Sequence, residues 1–403
     1  MNPENTINYN KKSVTDVPVE GKKILLRCDF NVPIDKETGK ITDEGRITAA
    51  LPTINYLIDH GAAVIACSHF GRPKGEFKPE FSLLPVAESL SEHLGIQVKM
   101  AKDVIGPDAT GLAAELKPGE VMLLENTRFH KEEEKNDPGF AQKLAAMADI
   151  FVSDAFGSVH RAHASTEGVS HYLPAVSGFL LKKELDNIGG AISDPVRPLV
   201  AILGGAKVSD KLGVIGNLLK IADSIIIGGG MAYTFFKATG GKIGNSLCED
   251  SQTGAVLDMM AEAKDRGVGL LLPPDSVAAS GFSNDAATMT VDSNAIPDGM
   301  LALDIGPRAA AGFCDVIAKA GTIVWNGPMG VFEFPKFEMG TLAVANAVAG
   351  SGAKSIIGGG DSAAAVRKFG LEDKITHIST GGGASLEFME GKVLPGIACL
   401  LDA

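Results

Sequence analysis

No apolar stretch in this 403-residue chain approaches the roughly 20 residues needed to cross a bilayer. Its opening residues, MNPENTINYNKK, are polar and lack the apolar core of a secretion signal. Both absences point to a cytoplasmic protein with no membrane partner. Positive charge is not in excess either: 37 Lys and Arg against 49 Asp and Glu leave a net charge of −12. Nucleic acid as the main partner would require an extended basic surface, so that class is set aside. The five cysteines, Cys28, Cys67, Cys248, Cys314 and Cys399, are odd in number and widely spaced, and no CxxC pair occurs. That argues against a zinc site or a disulfide framework. Cys28 and Cys67 lie in or at the end of apolar runs and read as small buried hydrophobes in a reducing compartment. The chain also has no GxxxxGK[ST] loop, and no strand end carries GxGxxG. A Walker loop and a dinucleotide fingerprint are therefore both missing.

What the chain does have is ten short apolar runs rich in Val, Ile and Leu, without strict alternation. That is the mark of strands buried on both faces. Their tips change character halfway. In the first half they carry charge: LLRCDFNVP (25–33), VIACSHFGRP (64–73), VMLLENTRF (121–129) and DIFVSDAFGSVHRAH (149–163). In the second half they carry glycine: LVAILGGAKV (199–208), DSIIIGGGM (223–231), TIVWNGPMG (322–330), KSIIGGGDS (354–362) and THISTGGGAS (376–385), with LLLPPD (270–275) among them. Helical spacing appears between the runs over 43–61, 82–95, 137–149, 209–223, 255–267 and 340–352. Strand, helix, strand, repeated, predicts an α/β protein. The length exceeds one comfortable core. The expected architecture is two Rossmann-like lobes, 1–180 and 196–390, each a mainly parallel sheet flanked by helices. A hinge over 181–195 joins them; there, LKKELDNI reads as a short amphipathic hinge helix that ends at a Gly-Gly pair, followed by Asp-Pro. The apolar end, 391–403, is expected to pack back on the first lobe.

Ligands of open parallel sheets sit beyond the carboxyl ends of the strands. The first half offers His69, Arg72, Arg128 and Arg161 there, with His160 and His163 beside them and Arg46 opening a helix. Guanidinium forks suit phosphate and carboxylate. Asp29 and Asn31 could accept from and donate to a hydroxyl-bearing ligand, or could simply form a turn. Asp154 reads equally as a helix cap. The second half offers backbone amides at Gly204–Gly205, at GGGDS (358–362) and at STGGGAS (379–385), which suit phosphate. Lys207 and Lys211 are spaced to share a helix face. Asp361 is either a ligand for a phosphate-bound Mg²⁺ or the cap of the following helix. Trp325 reads as core filler before a turn.

At R-x-D-x-N-V-P the chain resembles the phosphoglycerate kinase family. SHFGRP, LLENTRF, DAFGSVHRAHAS, GGAKVSDK, WNGPMGVFE, GGGDS and STGGGAS resemble that family's segments, in its order, over essentially the whole chain. The resemblance implies a monomeric glycolytic enzyme that moves a phosphoryl group between 1,3-bisphosphoglycerate and ADP, giving 3-phosphoglycerate and MgATP. By matching position, Asp29, Asn31, Arg46, His69, Arg72, Arg128 and Arg161 would hold the phosphoglycerate. Gly204, Gly205, Lys207, Lys211, Asn326, Glu333, Gly359, Gly360, Asp361 and Ser362 would hold the nucleotide, with Asp361 facing the metal. Arg46, Lys207 and the amides near Gly360 and Gly382 would stabilise the group in flight. Ligands on opposite halves would need domain closure, which would also exclude water. Three rivals remain at this level: a two-lobed binding protein, a nicotinamide dehydrogenase, and another acyl-phosphate kinase. The first has no need of three glycine nests and an acidic metal candidate. The second lacks its fingerprint loop. An acetate kinase has no second phosphate for so many arginines.

Overall fold

Strand β1 (Lys23–Arg27) is buried along its length after Lys23 and shows no polar face, so both its sides must be covered. The same holds for β2 (Ala63–Cys67), β4 (Val121–Leu123), β5 (Ile150–Ser153) and β6 (Ala175–Ser177), while the two-residue β3 (Lys99–Met100) is half-buried. These strands form one parallel sheet in the order β3-β4-β2-β1-β5-β6. Arg27 of β1 lies opposite Cys67 of β2 and Ser153 of β5, so three strands end level. Helix Gly45–Asp59 buries Ile47, Ile54 and Leu57, and helix Leu84–Leu94 buries Val86 and Leu90; these pack on Ile24, Leu26 and Val64 of the sheet. Each such side chain contributes roughly 1.5–3 kcal/mol. The computed structural model describes residues 8–35 and 37–403, so most of the polar opening segment lies outside the described residues.

The described residues through Asp186, with Val393–Ala403, make one compact unit; Asn187–Lys392 make a second. In the second, the strands are β7 (Leu199–Leu203), β8 (Ser224–Ile227), β9 (Lys242–Ile243), β10 (Gly269–Leu271), β11 (Asp275–Ala279), β12 (Thr288–Asp292), β13 (Ala295–Ile296), β14 (Leu301–Ile305), β15 (Thr322–Asn326), β16 (Lys354–Gly358) and β17 (His377–Ile378). A parallel sheet runs β10-β8-β7-β15-β16-β17. Its core joins Ile202, Ile323, Trp325 and Ile357 to Phe313 and Ile317 of helix Pro307–Ile317 and to Val344 and Val348 of helix Met339–Gly350. Two α/β units with parallel sheets are thus present.

Two features depart from the sequence reading. A three-stranded antiparallel sheet, β12-β11-β14, follows β10. Its strand β12 is largely exposed and polar, so it gave no apolar signal. The helix expected to stop before Gly189–Gly190 instead runs on. Helix Phe179–Glu184 passes through a π-helical turn, Leu185–Gly189, into Gly190–Ser193. Burial of Leu185, Ile188 and Ala191 offsets the helical cost of the two glycines. Among the described residues, no helix is long and apolar enough to cross a membrane.

Candidate functional site

In the first sheet the strand order turns between β1 and β5, which places the loops after β1, β2 and β5 over one edge. Arg27 closes β1 and is fully buried, and its Nη2 lies 3.1 Å from Nδ1 of His69, just past β2. Burial, together with the positive charges of Arg27, Arg128, Arg46 and Arg161, holds His69 well below its ordinary pKa. His163 is likewise pushed down to about 4, by burial and then by Arg128, Arg27, Arg161 and His160. Residues from five separate segments therefore converge. Arg46 donates to Asp29 Oδ2 at 2.6 Å, so the carboxylate expected to meet a ligand hydroxyl is held by an arginine of the same site.

The backbone before Arg72 is pinned from both sides. Gly71 N–H donates to Asn31 Oδ1 at 2.9 Å, and Gly71 C=O accepts from Arg128 Nη1 at 2.9 Å. Gly71 has φ +57, and a Cβ there would come within 2.4 Å of the Phe81 ring, so only glycine fits. Arg128 is buried, with Nε 3.3 Å from Glu134 Oε1. Arg72 and Arg161 stand exposed at the rim. Fixed guanidiniums around a neutral imidazole suit a small polyanion.

In the second sheet the order turns between β7 and β15, and the tips of those strands bond to each other. Gly204 N–H donates to Asn326 O at 3.0 Å and Gly205 N–H to Pro328 O at 3.1 Å. A Cβ on Gly204 would lie 2.0 Å from Pro328 O, so the crossing requires glycine. Lys211 Nζ donates to Asn326 Oδ1. Burial lowers the Lys211 pKa, against Asp210, Asp361 and Glu390, which raise it. Ser362 is buried, and its Oγ accepts from Gly327 N–H at 2.6 Å, locking the β16 tip to the β15 tip. Asp361 sits in the first turn of helix Gly360–Lys368, whose cap position is Gly359, so it is not the cap. Gly382 precedes helix Gly383–Met389, whose Met389 and Ser385 abut Gly358. Lys207 is exposed on the loop after Gly205, and its charge helps lower the Glu249 pKa, whose main cause is a hydrogen bond from Ser209.

Beside these tips lies a cavity of about 610 Å³. Gly205, Gly229, Gly230, Glu333 and Asp361 line it, with Leu247, Phe282, Leu303, Val331 and Phe334 as its apolar walls. Asp304 also lines it, its carboxyl pushed up to about 7 by burial while Gly340 and Ile305 amides donate to it. Bare amides with carboxylates, joined to an apolar slot, suit a nucleotide's phosphates, sugar and base.

Sequence reasoning passed over Arg27, although it is the first letter of R-x-D-x-N, and passed over the slot residues. Leu247 and Phe282 come from distant loops and carry no local pattern. Trp325 is core, as read, with Nε1 donating to Gly327 O at 2.8 Å. All five cysteines are unpaired thiols.

A family model described as phosphoglycerate kinase matches residues 14–392. The phosphoglycerate kinase of Clostridium botulinum (strain Alaska E43 / Type E3) is 57% identical over 399 residues, 98% of this chain and 100% of that protein. That of Moorella thermoacetica (strain ATCC 39073 / JCM 9320) is 57% identical over 392 residues, 97% and 99% of the two chains. Among solved structures, phosphoglycerate kinase from Coxiella burnetii has a TM-score of 0.92 at 44% identity, covering 96% of this chain and 98% of that one. The enzyme from Pyrococcus horikoshii OT3 has a TM-score of 0.78 at 35% identity, with 96% and 98% covered.

Proposed function

Because this chain belongs to the phosphoglycerate kinase family, we propose that its two sets of strand tips hold the two substrates of one reaction, phosphoglycerate on the first unit and nucleotide on the second. The reaction is reversible phosphoryl transfer from 1,3-bisphosphoglycerate to ADP, giving 3-phosphoglycerate and ATP, a step of glycolysis. In the reverse direction the acceptor is a carboxylate, already ionised, so no general base is required. The work left to the protein is positioning and charge neutralisation.

The observation that carries the assignment is the convergence of Arg27, Arg46, Arg128 and Arg161 on one neutral histidine in the first unit. On this reading Asp29, Asn31, Arg46, His69, Arg72, Arg128 and Arg161 bind the phosphoglycerate. Gly204, Gly205, Lys211, Asn326, Glu333, Gly359, Asp361 and Ser362 build the nucleotide site, directly or by fixing its loops. Arg46, Lys207 and the amides at Gly360 and Gly382 meet charge on the transferring group.

The donor set of the second unit fits magnesium. Asp361 shares the cavity with Glu333, Asp304 and bare amides, and among the described residues no cluster of three or more His, Cys, Asp or Glu forms a cage of its own. Mg²⁺ binds through one or two carboxylates plus phosphates. When bound with the nucleotide it would neutralise phosphate charge, and Asp361 would be its protein ligand. The enzyme is read as a cytoplasmic monomer; unpaired thiols support the reducing compartment.

Two measurements test this. ATP formation from ADP and enzymatically generated 1,3-bisphosphoglycerate is the expected activity. Calorimetric titration of Arg72→Ala and Arg128→Ala should show weakened 3-phosphoglycerate binding, roughly ten-fold or more for each lost charged contact, with ADP affinity nearly unchanged. Loss of ADP affinity instead would reverse the assignment of the two units.

A further inference from the structure

Arg27 is the most deeply buried cation near the proposed phosphoglycerate site, 1% exposed at the carboxyl end of β1. Each of its three guanidinium nitrogens has a partner. Nε donates to Ser165 Oγ at 2.8 Å, Nη1 donates to the carbonyl of Cys28, and Nη2 faces Nδ1 of His69 at 3.1 Å. Behind it, Ser165 N–H donates to Glu133 Oε2 at 2.9 Å and Ser165 Oγ donates to Glu133 Oε1. Both Ser165 and Glu133 are fully buried. Arg27 is thus anchored from three directions and is not free to swing out as a ligand.

A guanidinium has five N–H donors and no acceptor, and it does not deprotonate in proteins. Nδ1 of His69 can meet it only with a lone pair. The imidazole proton must then sit on Nε2, and a second proton on Nδ1 would set N–H against N–H. The surroundings work the same way: the charged groups facing His69 from β1, from helix Gly45–Asp59 and from the loops after β4 and β5 are Arg27, Arg46, Arg128 and Arg161, all cationic. Among the described residues no other group hydrogen-bonds the ring, which leaves Nε2–H as its unengaged donor.

We infer that Arg27 is a positioning residue: anchored by Ser165 and Glu133, it holds His69 as a neutral imidazole protonated on Nε2, so that phosphoglycerate is met by a hydrogen-bond donor whose state does not change with pH. This rests on the proposed placement of phosphoglycerate at His69. The remaining arginines supply charge; His69 supplies direction, and Arg27 sets it. A titrating histidine among the arginines would make substrate affinity vary through the physiological range.

The test begins with the unaltered enzyme, with ¹⁵N-labelled histidine, observed by NMR from pH 5.5 to 8. The His69 signals are assigned by their loss in His69→Gln. The expected result is an unprotonated Nδ1, a protonated Nε2, no titration across the range, and a shift of the Nε2 signal on adding 3-phosphoglycerate. A protonated Nδ1, or a midpoint within that range, overturns the inference while leaving the site reading intact. The expected tautomer with no response to 3-phosphoglycerate overturns the site reading instead. The double variant Arg27→Gln/Glu133→Gln removes the anchor without stranding a buried carboxylate. There, His69 should begin to titrate. The KM for 3-phosphoglycerate at pH 8 should rise roughly ten-fold and fall again toward pH 5.5, with the KM for ATP unchanged. A pH-independent KM equal to that of the unaltered enzyme also overturns the inference.

Discussion

Lys207 and Asp361 show how the same local sequence supports different readings until neighbours are known. Asp361 opens a helix, and a carboxylate there reads as a cap; the structure gives that position to Gly359 and leaves Asp361 lining the cavity. Lys207 follows Gly204–Gly205 and stays exposed, which suits a cation that meets charge only as it develops. Lys207→Ala should therefore lower kcat by about two orders of magnitude or more, with a much smaller change in either KM, as read by steady-state assay at saturating substrates. Unchanged turnover would remove Lys207 from the mechanism. Arg72, Arg128 and His69 were legible because each stands just past an apolar run. Arg27 was not, because a cation at the end of a strand gives no sign in one dimension that Ser165 and Glu133 wait behind it.

Helix Phe179–Glu184 makes no side-chain cap of its own. Its first amides are met from elsewhere: Phe179 N–H donates to Thr53 Oγ1 at 3.0 Å, and Leu181 N–H donates to Asp154 Oδ1 at 3.1 Å. Asp154 is indeed a cap, but for this later helix. Burial pushes its carboxyl up to about 6 from an ordinary 3.8, against hydrogen bonds from Thr53, Leu181 and Leu180 that lower it. A carboxyl with a raised pKa binds its proton more tightly folded than unfolded. Its cost to stability is thus complete above pH 6 and is relieved as pH falls from 6 toward 4. At about 1.4 kcal/mol per pKa unit the full cost is on the order of 3 kcal/mol. Asp154→Asn should therefore flatten the pH dependence of stability between pH 4 and 7, seen as a wild-type advantage that grows on acidification in denaturant melts. Parallel curves would contradict that. At this scale the parallel strands and their crossover helices were readable, because burial on both faces demands continuous apolar runs. The antiparallel β12 was not, since it lies exposed and is specified by its pairing with β11.

The final residues, Val393–Ala403, belong to the first unit although the chain reaches them from the second. Leu401 N–H donates to Ala175 O of edge strand β6 at 2.9 Å, Lys11 Nζ meets Asp402 at 2.6 Å, and Gly396 N–H donates to Val159 O at 2.9 Å. Leu394, Ile397 and Leu400 are buried. Three such side chains contribute on the order of 5 kcal/mol. Deleting 393–403 should lower the melting temperature of the first unit and, through Val159, weaken 3-phosphoglycerate binding, while ADP affinity in calorimetry stays near wild type. Equal loss of both ligands would show that the segment serves the second unit as well.

By itself the sequence determined the class of fold, the place of ten parallel-strand tips, and the chemistry offered there, because apolar runs, helical spacing and turn residues act over a few neighbours. Only the tertiary structure decided which tips meet, which carboxylate caps and which one lines a cavity, and which arginine lies buried against a histidine. Those outcomes depend on strand order and on burial, where residues far apart in the chain share one low-dielectric space and set each other's charge.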